Sequence, residues 1–338
     1  MARQGHRRQG ATIWTVAERA GVSHQTVARY LRGEKLRPEN QERVRQAIDE
    51  LGYRFNDTAS ELATQQPRRI GALVFDVDDW APQRVLAGAG EAARASGHIL
   101  ETIRADMDDP ASIKQALHMM NRASLAGVVV LSPPDFVLEA MDFSSLQTPW
   151  LIEAEPRIPR GHPASLEHPI AKAVRHLAEL GHQRFFYLGG PRGWPSAWNR
   201  ETAYGTCVED LGLVDCGRTH GPWGAVNGYA AVDHLPLDQM PTAIVAASDQ
   251  IALGAIARLH KSGISVPGHV SITGFDGLKD AAFYAPPLTT VAIDFVGMGR
   301  RAVNSLLAGT GLGGAPELEG YCFAGELVPR RSSAPPAR

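Results

Sequence analysis

Cysteine is nearly absent: the 338 residues hold three, Cys207, Cys216 and Cys322, with no CxxC pair. That excludes a disulfide framework and a cysteine zinc site, and it fits a reduced compartment. No run of about 18 apolar residues occurs, so nothing reads as a membrane span. The opening "MARQGHRRQGATIW" has basic residues but no apolar stretch behind them, so a secretory leader is not expected. HExxH, GxSxG and P-loop patterns are missing, and the twelve histidines are scattered without ligand spacing. "GTGLGG" (309–314) superficially has the form of a dinucleotide loop. It follows a helix-like segment instead of a strand, and reads as a surface turn. No metal or cofactor is expected, and an enzyme has no nucleophile–base constellation to work with.

Net charge is also scarce, at −2 overall, but it is unevenly spread. Residues 1–55 carry eleven Lys/Arg against six Asp/Glu, and the remainder carries 23 against 30. A basic head on an acidic body fits a protein whose head alone meets phosphate; a solvated basic tail is the alternative. With 44% apolar and 21% charged residues, the chain is globular and long enough for two or three packed units.

Residues 12–54 have helical spacing. Thr12 caps a first helix with Val16, Ala17 and Ala20 as its apolar stripe, and Gly21 ends it. Ser23 caps a second helix carrying Val27, Tyr30 and Leu31, which stops at Gly33. Pro38 opens a third, with Val44, Ile48 and Leu51 along one face. The polar stretch 54–69, ending near Pro67, reads as a linker. From residue 70, apolar runs at 70–76, 98–103, 127–132, 149–154, 184–190, 242–248 and 270–276 alternate with helical stretches. That alternation predicts an α/β fold of doubly wound parallel sheets in two lobes with a cleft between them. The expected divisions are 1–55, 56–69 and 70–338. The closing "SSAPPAR" is expected to fray.

Ala17, four residues before Gly21, allows close helix crossing, and the glycine permits a tight turn. This is a helix-turn-helix spacing, although a small bundle with a solvated polar face shares it. The second helix would expose His24, Gln25, Thr26, Arg29 and Arg32. Gln25 can pair with adenine and Arg29 with guanine, while the helix start at Ser23 aims backbone N–H groups at a phosphate. Arg29 as a phosphate clamp alone is the other possibility.

The segments "TVAERAGVSHQTVARYLRG" and "RVRQAIDELGYRFN" resemble the LacI/GalR family of bacterial transcription regulators. The resemblance continues through "HLAELGHQRFFYLGGP" (176–191), "SDQIALGAI" (248–256), "GFDG" (274–277) and "APPLTTV" (285–291). The body is closest in pattern to the lactose-repressor branch. The resemblance implies a helix-turn-helix head, a hinge helix and a two-lobed body like that of periplasmic binding proteins. It places base reading on His24, Gln25 and Arg29, and it maps the hinge to Asn56 through Ala63, with Leu62 as a minor-groove wedge. Phe55 stands where proline is usual, and Asp57 and Glu61 where neutral or basic residues are usual, which implies a weaker hinge contribution. The candidate DNA-binding set is Thr12, Ser23, His24, Gln25, Thr26, Arg29, Asn56 and Leu62.

A sugar site needs carboxylate acceptors, Arg or Asn donors and an aromatic platform, at the C-terminal ends of strands. Asp276, Ser248, Asp249 and Glu153 close such strands, Arg200 follows another, and Trp223 sits in "GPWGA". By resemblance, Asp276 and Arg200 bond sugar hydroxyls and Trp223 stacks under the ring; a helix cap at Asp276 and a core role for Trp223 stay open. Trp80, Pro82 and Phe295 complete the wall. Ser248 replaces an asparagine and Glu153 an aspartate, and Trp194 and Trp198 could widen the aromatic wall. The candidate effector set is therefore Trp80, Pro82, Glu153, Arg200, Trp223, Ser248, Asp276 and Phe295. The expectation is a cytoplasmic repressor, homodimeric instead of tetrameric, on a pseudo-palindromic double-stranded operator, without membrane attachment. A small sugar, galactoside-like, would release it. A nucleobase effector or corepressor is the alternative, and a periplasmic-type solute-binding protein fits less well.

Overall fold

The computed structural model describes residues 11–31, 33–53, 67–75, 80–236, 240–313, 317–318 and 323–337. The chain divides into two compact units, Met1–Gln66 and Pro67–Arg338.

The first unit contains α1 (Ile13–Ala20), α2 (His24–Leu31) and α3 (Pro38–Leu51). Thr12 and Thr15 cap α1 reciprocally: the Thr15 amide donates to Thr12 Oγ1 at 3.2 Å and the Thr12 amide to Thr15 Oγ1 at 2.8 Å. Gly21, at φ 64°, takes the left-handed conformation that lets the chain turn into α2. The Ser23 hydroxyl accepts from the Thr26 amide at 3.2 Å. Val16, Ala17, Ala20, Val27, Val44 and Ala47 form the core. Leu51 does not join it: it is 38% exposed in the last turn before Gly52, and Ala47, one turn earlier, is buried instead.

The second unit holds β1 (Arg69–Val74), α4 (Trp80–Ala95), β2 (Ile99–Arg104), α5 (Pro110–Arg122), β3 (Gly127–Leu131), α6 (Asp135–Ala140) and β4 (Trp150–Glu153). There follow α7 (Ala164–Glu167), α8 (Ile170–Glu179), β5 (Arg184–Leu188), α9 (Pro195–Asp210), β6 (Val214–Thr219), α10 (Ala225–Ala231), β7 (Ala243–Ala246) and α11 (Asp249–Lys261). The series ends with β8 (Ser271–Asp276), β9 (Thr289–Ile293), α12 (Phe295–Ala308) and β10 (Gly325–Val328).

One lobe carries the parallel sheet β2-β1-β3-β4; the other carries β6-β5-β7-β8-β9-β10, parallel except for the antiparallel last pair. Strand order reverses between β1 and β3 in one sheet and between β5 and β7 in the other, the places where open α/β sheets form ligand crevices. The chain leaves the first sheet after β4 and returns as α12, whose Met298, Ala302, Val303 and Leu306 pack with Ile70, Val85, Ala89 and Val129. That return depends on glycine. A Cβ on Gly88 would lie 1.9 Å from the Val296 carbonyl oxygen, and one on Gly299 1.9 Å from that of Val85.

The expected frayed tail is instead docked. Ser332 is fully buried; its hydroxyl donates to the Ile272 carbonyl at 2.6 Å and accepts from the Thr289 amide at 2.8 Å. The Ala334 amide donates to Ser271 Oγ at 3.0 Å, and the Ala334 carbonyl oxygen lies 2.9 Å from His182 Nε2. A polar tail stays ordered here because its hydroxyls and amides satisfy buried strand groups.

Candidate functional site

On the head, His24, Gln25 and Thr26 occupy the first turn of α2, and Arg29 follows one turn on. Gln25 and Arg29 are exposed. His24 is half-buried and does not stand free, because its ring packs on Trp14 of α1 at 4.2 Å between centroids. Trp14 is 63% exposed and was not singled out by spacing. The hydroxyls of Thr12, Ser23 and Thr26 are engaged in caps, with Ser23 Oγ and Thr26 Oγ1 2.9 Å apart. Arg29 Nε donates to Glu34 Oε2 at 2.9 Å and Nη2 to the Lys35 carbonyl at 3.4 Å. This pair is about half exposed, so it holds Arg29 only weakly. Arg32, Asn56 and Leu62 lie outside the described residues.

In the second unit, a cavity opens between the lobes at the C-terminal ends of their strands. Ser132 follows β3, Glu155 follows β4, Ser248 follows β7 and Asp276 ends β8, and all four line it. Trp80 and Pro82 enter from α4, Phe295 from α12, Trp194 and Arg200 from the α9 region, and Trp223 from the loop before α10. Trp80 and Phe295 meet edge to face at 5.7 Å and 84°.

Arg200, 4% exposed, is fixed on three sides. Its Nη1 donates to the Ala247 carbonyl at 2.6 Å and lies 3.2 Å from Asp276 Oδ1. Its guanidinium sits 4.2 Å from the Phe275 ring centroid and 5.0 Å from that of Trp223. Its Nε–H is buried and has no hydrogen-bond partner among the described residues. Asp276 has φ 100°, a backbone conformation that L side chains rarely adopt and that costs about 1–3 kcal/mol. Such strain persists where surrounding structure imposes it and is concentrated at functional positions.

Seven of the eight candidate effector residues line this cavity; Glu153 does not. Glu153 interacts with Arg301 of α12, and burial pushes its carboxyl up to about 7 despite that charge. Glu155, two residues on, is the carboxylate that reaches the cavity. It accepts from Asn199 Nδ2 at 3.2 Å and lies 3.5 Å from His168 Nε2. Burial alone would raise Glu155, but His168, Arg200 and Asn199 outweigh it and leave its pKa below the ordinary carboxylate range. Burial holds His168 below the usual histidine range. No motif flags Glu155; the pair of glutamates in "EAE" after an apolar strand was the only hint.

Ser248 lines the cavity, but its hydroxyl donates to the Trp223 carbonyl at 3.2 Å and accepts from the Ile251 amide at 3.1 Å as the α11 cap. Asp249 is fully buried behind it, accepting from Thr290 Oγ1 and the Leu278 amide, and burial together with Asp276 pushes its carboxyl up to about 8. Trp194 reaches the cavity wall, whereas Trp198 does not; its Nε1 donates to the Ile158 carbonyl at 2.9 Å.

The arrangement offers buried charge-paired donors and acceptors among aromatic faces, which suits a neutral polyhydroxylated molecule. Residues 12–56 match the family of bacterial regulatory proteins of the lacI type, and residues 174–333 match the periplasmic binding protein-like domain. The lactose operon repressor of Escherichia coli (strain K12) is 30% identical over 301 residues, covering 88% of this chain and 84% of that protein. The lactose operon repressor of Klebsiella pneumoniae is 31% identical over 344 residues, covering 96% and 91%. A crystal structure of the lac repressor dimer bound to operator and the anti-inducer ONPF superposes with a TM-score of 0.81 at 27% identity, covering 96% of this chain and 100% of that one. With that identity sustained over the length of both repressors, the chain belongs to the lacI family of bacterial regulatory proteins.

Proposed function

We propose that this protein is a dimeric, sequence-specific transcriptional repressor whose head binds a pseudo-palindromic operator and whose cavity takes a small sugar, a galactoside by preference, that releases it. The buried Arg200–Asp276 pair beside Trp223 carries the effector reading. A pair already held at 3.2 Å presents a fixed donor and acceptor to vicinal hydroxyls, and the tryptophan face suits the apolar side of a pyranose. The head supports the DNA reading through the exposed Gln25 and Arg29 on a capped second helix. Val226 and Phe283, each 85% exposed on the lobe built around β5–β10, are apolar surface that a second copy would cover. Release requires the sugar to bind the lobes more tightly in the DNA-free arrangement than in the DNA-bound one.

The test is fluorescence anisotropy of a labelled symmetric operator, with mono- and disaccharides added. Loss of anisotropy with a galactoside at micromolar to millimolar concentration is expected. Tight operator binding that no sugar disturbs would remove the effector reading and keep the DNA reading. The second reading, a nucleobase corepressor, is favoured by the four aromatic residues Trp80, Trp194, Trp223 and Phe295 that line one cavity. In the same assay it would raise operator affinity on addition of a purine.

A further inference from the structure

A second cavity lies on the lobe that carries β5–β10 and shares no lining residue with the effector cavity. Three arginines line it: Arg157 and Arg160 on the segment after β4, and Arg192 on the loop before α9. Arg160 and Arg192 have no carboxylate partner among the described residues, and all three are exposed. The guanidinium carbons of Arg157 and Arg160 sit 4.8 and 5.1 Å from the Trp198 ring centroid, which gathers two cations at one place. Tyr187, fully buried, lines the same cavity, and its hydroxyl has no hydrogen-bond partner among the described residues. A buried hydroxyl without a partner is costly, and Tyr187 lines the same cavity as the three arginines, where an acceptor-rich ligand would satisfy it. Glu201, the acidic residue of the cavity lining, is already engaged: its Oε2 lies 2.9 Å from His220 Nε2, and its Oε1 lies 3.4 Å from Nη1 of Arg218, which also pairs with Asp215 at 2.8 Å.

We infer that this cavity binds an oxyanion, a phosphate or carboxylate group of a small molecule, through Arg157, Arg160 and Arg192 with Tyr187 as an added donor. Planar guanidinium groups are suited to both anions, and the surplus of positive charge excludes a cationic ligand. The site has a built-in competitor. Arg157 also holds the carboxylate of Asp135, whose backbone amide donates to the Gly193 carbonyl at 2.8 Å across the lobes. An anion drawing on Arg157 therefore competes with a contact between the lobes.

Isothermal titration of the full-length protein with inorganic phosphate, and separately with glycerol 3-phosphate, which has no sugar ring for the effector cavity, tests this. One saturable site per chain is expected, weakened at least fivefold in Arg160→Gln and in Arg192→Gln, both exposed positions that leave operator binding unchanged. Asp135→Asn, which frees Arg157, should tighten phosphate binding severalfold. Equal affinity for both probes would identify a free-anion site, and tighter binding of glycerol 3-phosphate would identify a larger ligand anchored by its phosphate. No saturable binding of either probe, or binding indifferent to both arginine substitutions, overturns the proposal.

Discussion

Arg200 and Asp276 meet 3.2 Å apart with both side chains buried, one from α9 and the other from a strained turn at the end of β8. Neither charge would be tolerable there alone, since removing one member of a buried pair leaves the other uncompensated. Asp276→Asn keeps the size and suits an unusual backbone better than most residues. It should cut galactoside affinity by about tenfold to a hundredfold, the worth of one charged hydrogen bond. Operator affinity without sugar should stay within about twofold. Titration calorimetry and operator anisotropy measure the two separately, and parallel loss of both would mean the variant had damaged the fold instead of the site.

The two neighbouring glutamates separate in the same way. Glu155 lines the cavity and Glu153 does not, so Glu155→Gln should weaken galactoside binding while Glu153→Gln leaves it within about twofold. If Glu153→Gln alone impairs binding, the cavity assignment is wrong at this edge.

Glu153 also sets a pH dependence. Its folded pKa is raised to about 7, from an unfolded value near 4.5, so the folded state holds a proton that the unfolded chain releases. Its contribution is complete below about 4.5 and is lost as pH rises through about 7. Glu153→Gln should therefore raise stability at pH 7.5 by roughly 1–3 kcal/mol and flatten the fall in stability between pH 5 and 7.5. Urea unfolding at several pH values reads both.

On the head, Arg29 is tied to Glu34 by an exposed ion pair that costs little to open. Arg29→Ala should lose about 1–3 kcal/mol of operator binding and relax preference at one base pair. Glu34→Gln removes a negative charge near the phosphates and should tighten binding to all sequences alike. Anisotropy against a set of single-base operator variants distinguishes the two patterns.

What was legible in the chain followed from burial. Runs such as 127–132 and 242–248 are buried on both sheet faces, so their composition announced strands. β6 was silent because it lies at a sheet edge and its six residues are exposed or half-buried. β10, four residues long, pairs on one side only. Arg200, Asp276 and Trp223, which the structure brings to one cavity, were singled out by family motifs, and Asp276 also by its place at a strand end. Glu155 was missed because its neighbours in space, His168 and Asn199, are remote in sequence. Leu51 was overvalued because spacing along a helix does not say where the partner helices end.

The docked C-terminal segment shows the same limit and allows a sharp test. Its small polar residues read as a frayed end, yet Ser332 bridges the Thr289 amide and the Ile272 carbonyl at 2.8 and 2.6 Å inside the larger core. Ser332→Ala keeps the volume nearly constant and leaves both groups buried without that partner. It should destabilise the second unit by about 1–3 kcal/mol. Removing residues 332–338 also takes away the carbonyl that accepts from the Ile272 amide at 2.9 Å and the contacts of Ala334 with Ser271 and His182, so its cost should exceed that of the point variant. Chemical denaturation monitored by tryptophan fluorescence orders the three proteins. A truncated chain as stable as the full one would show that this segment is not held by the contacts described.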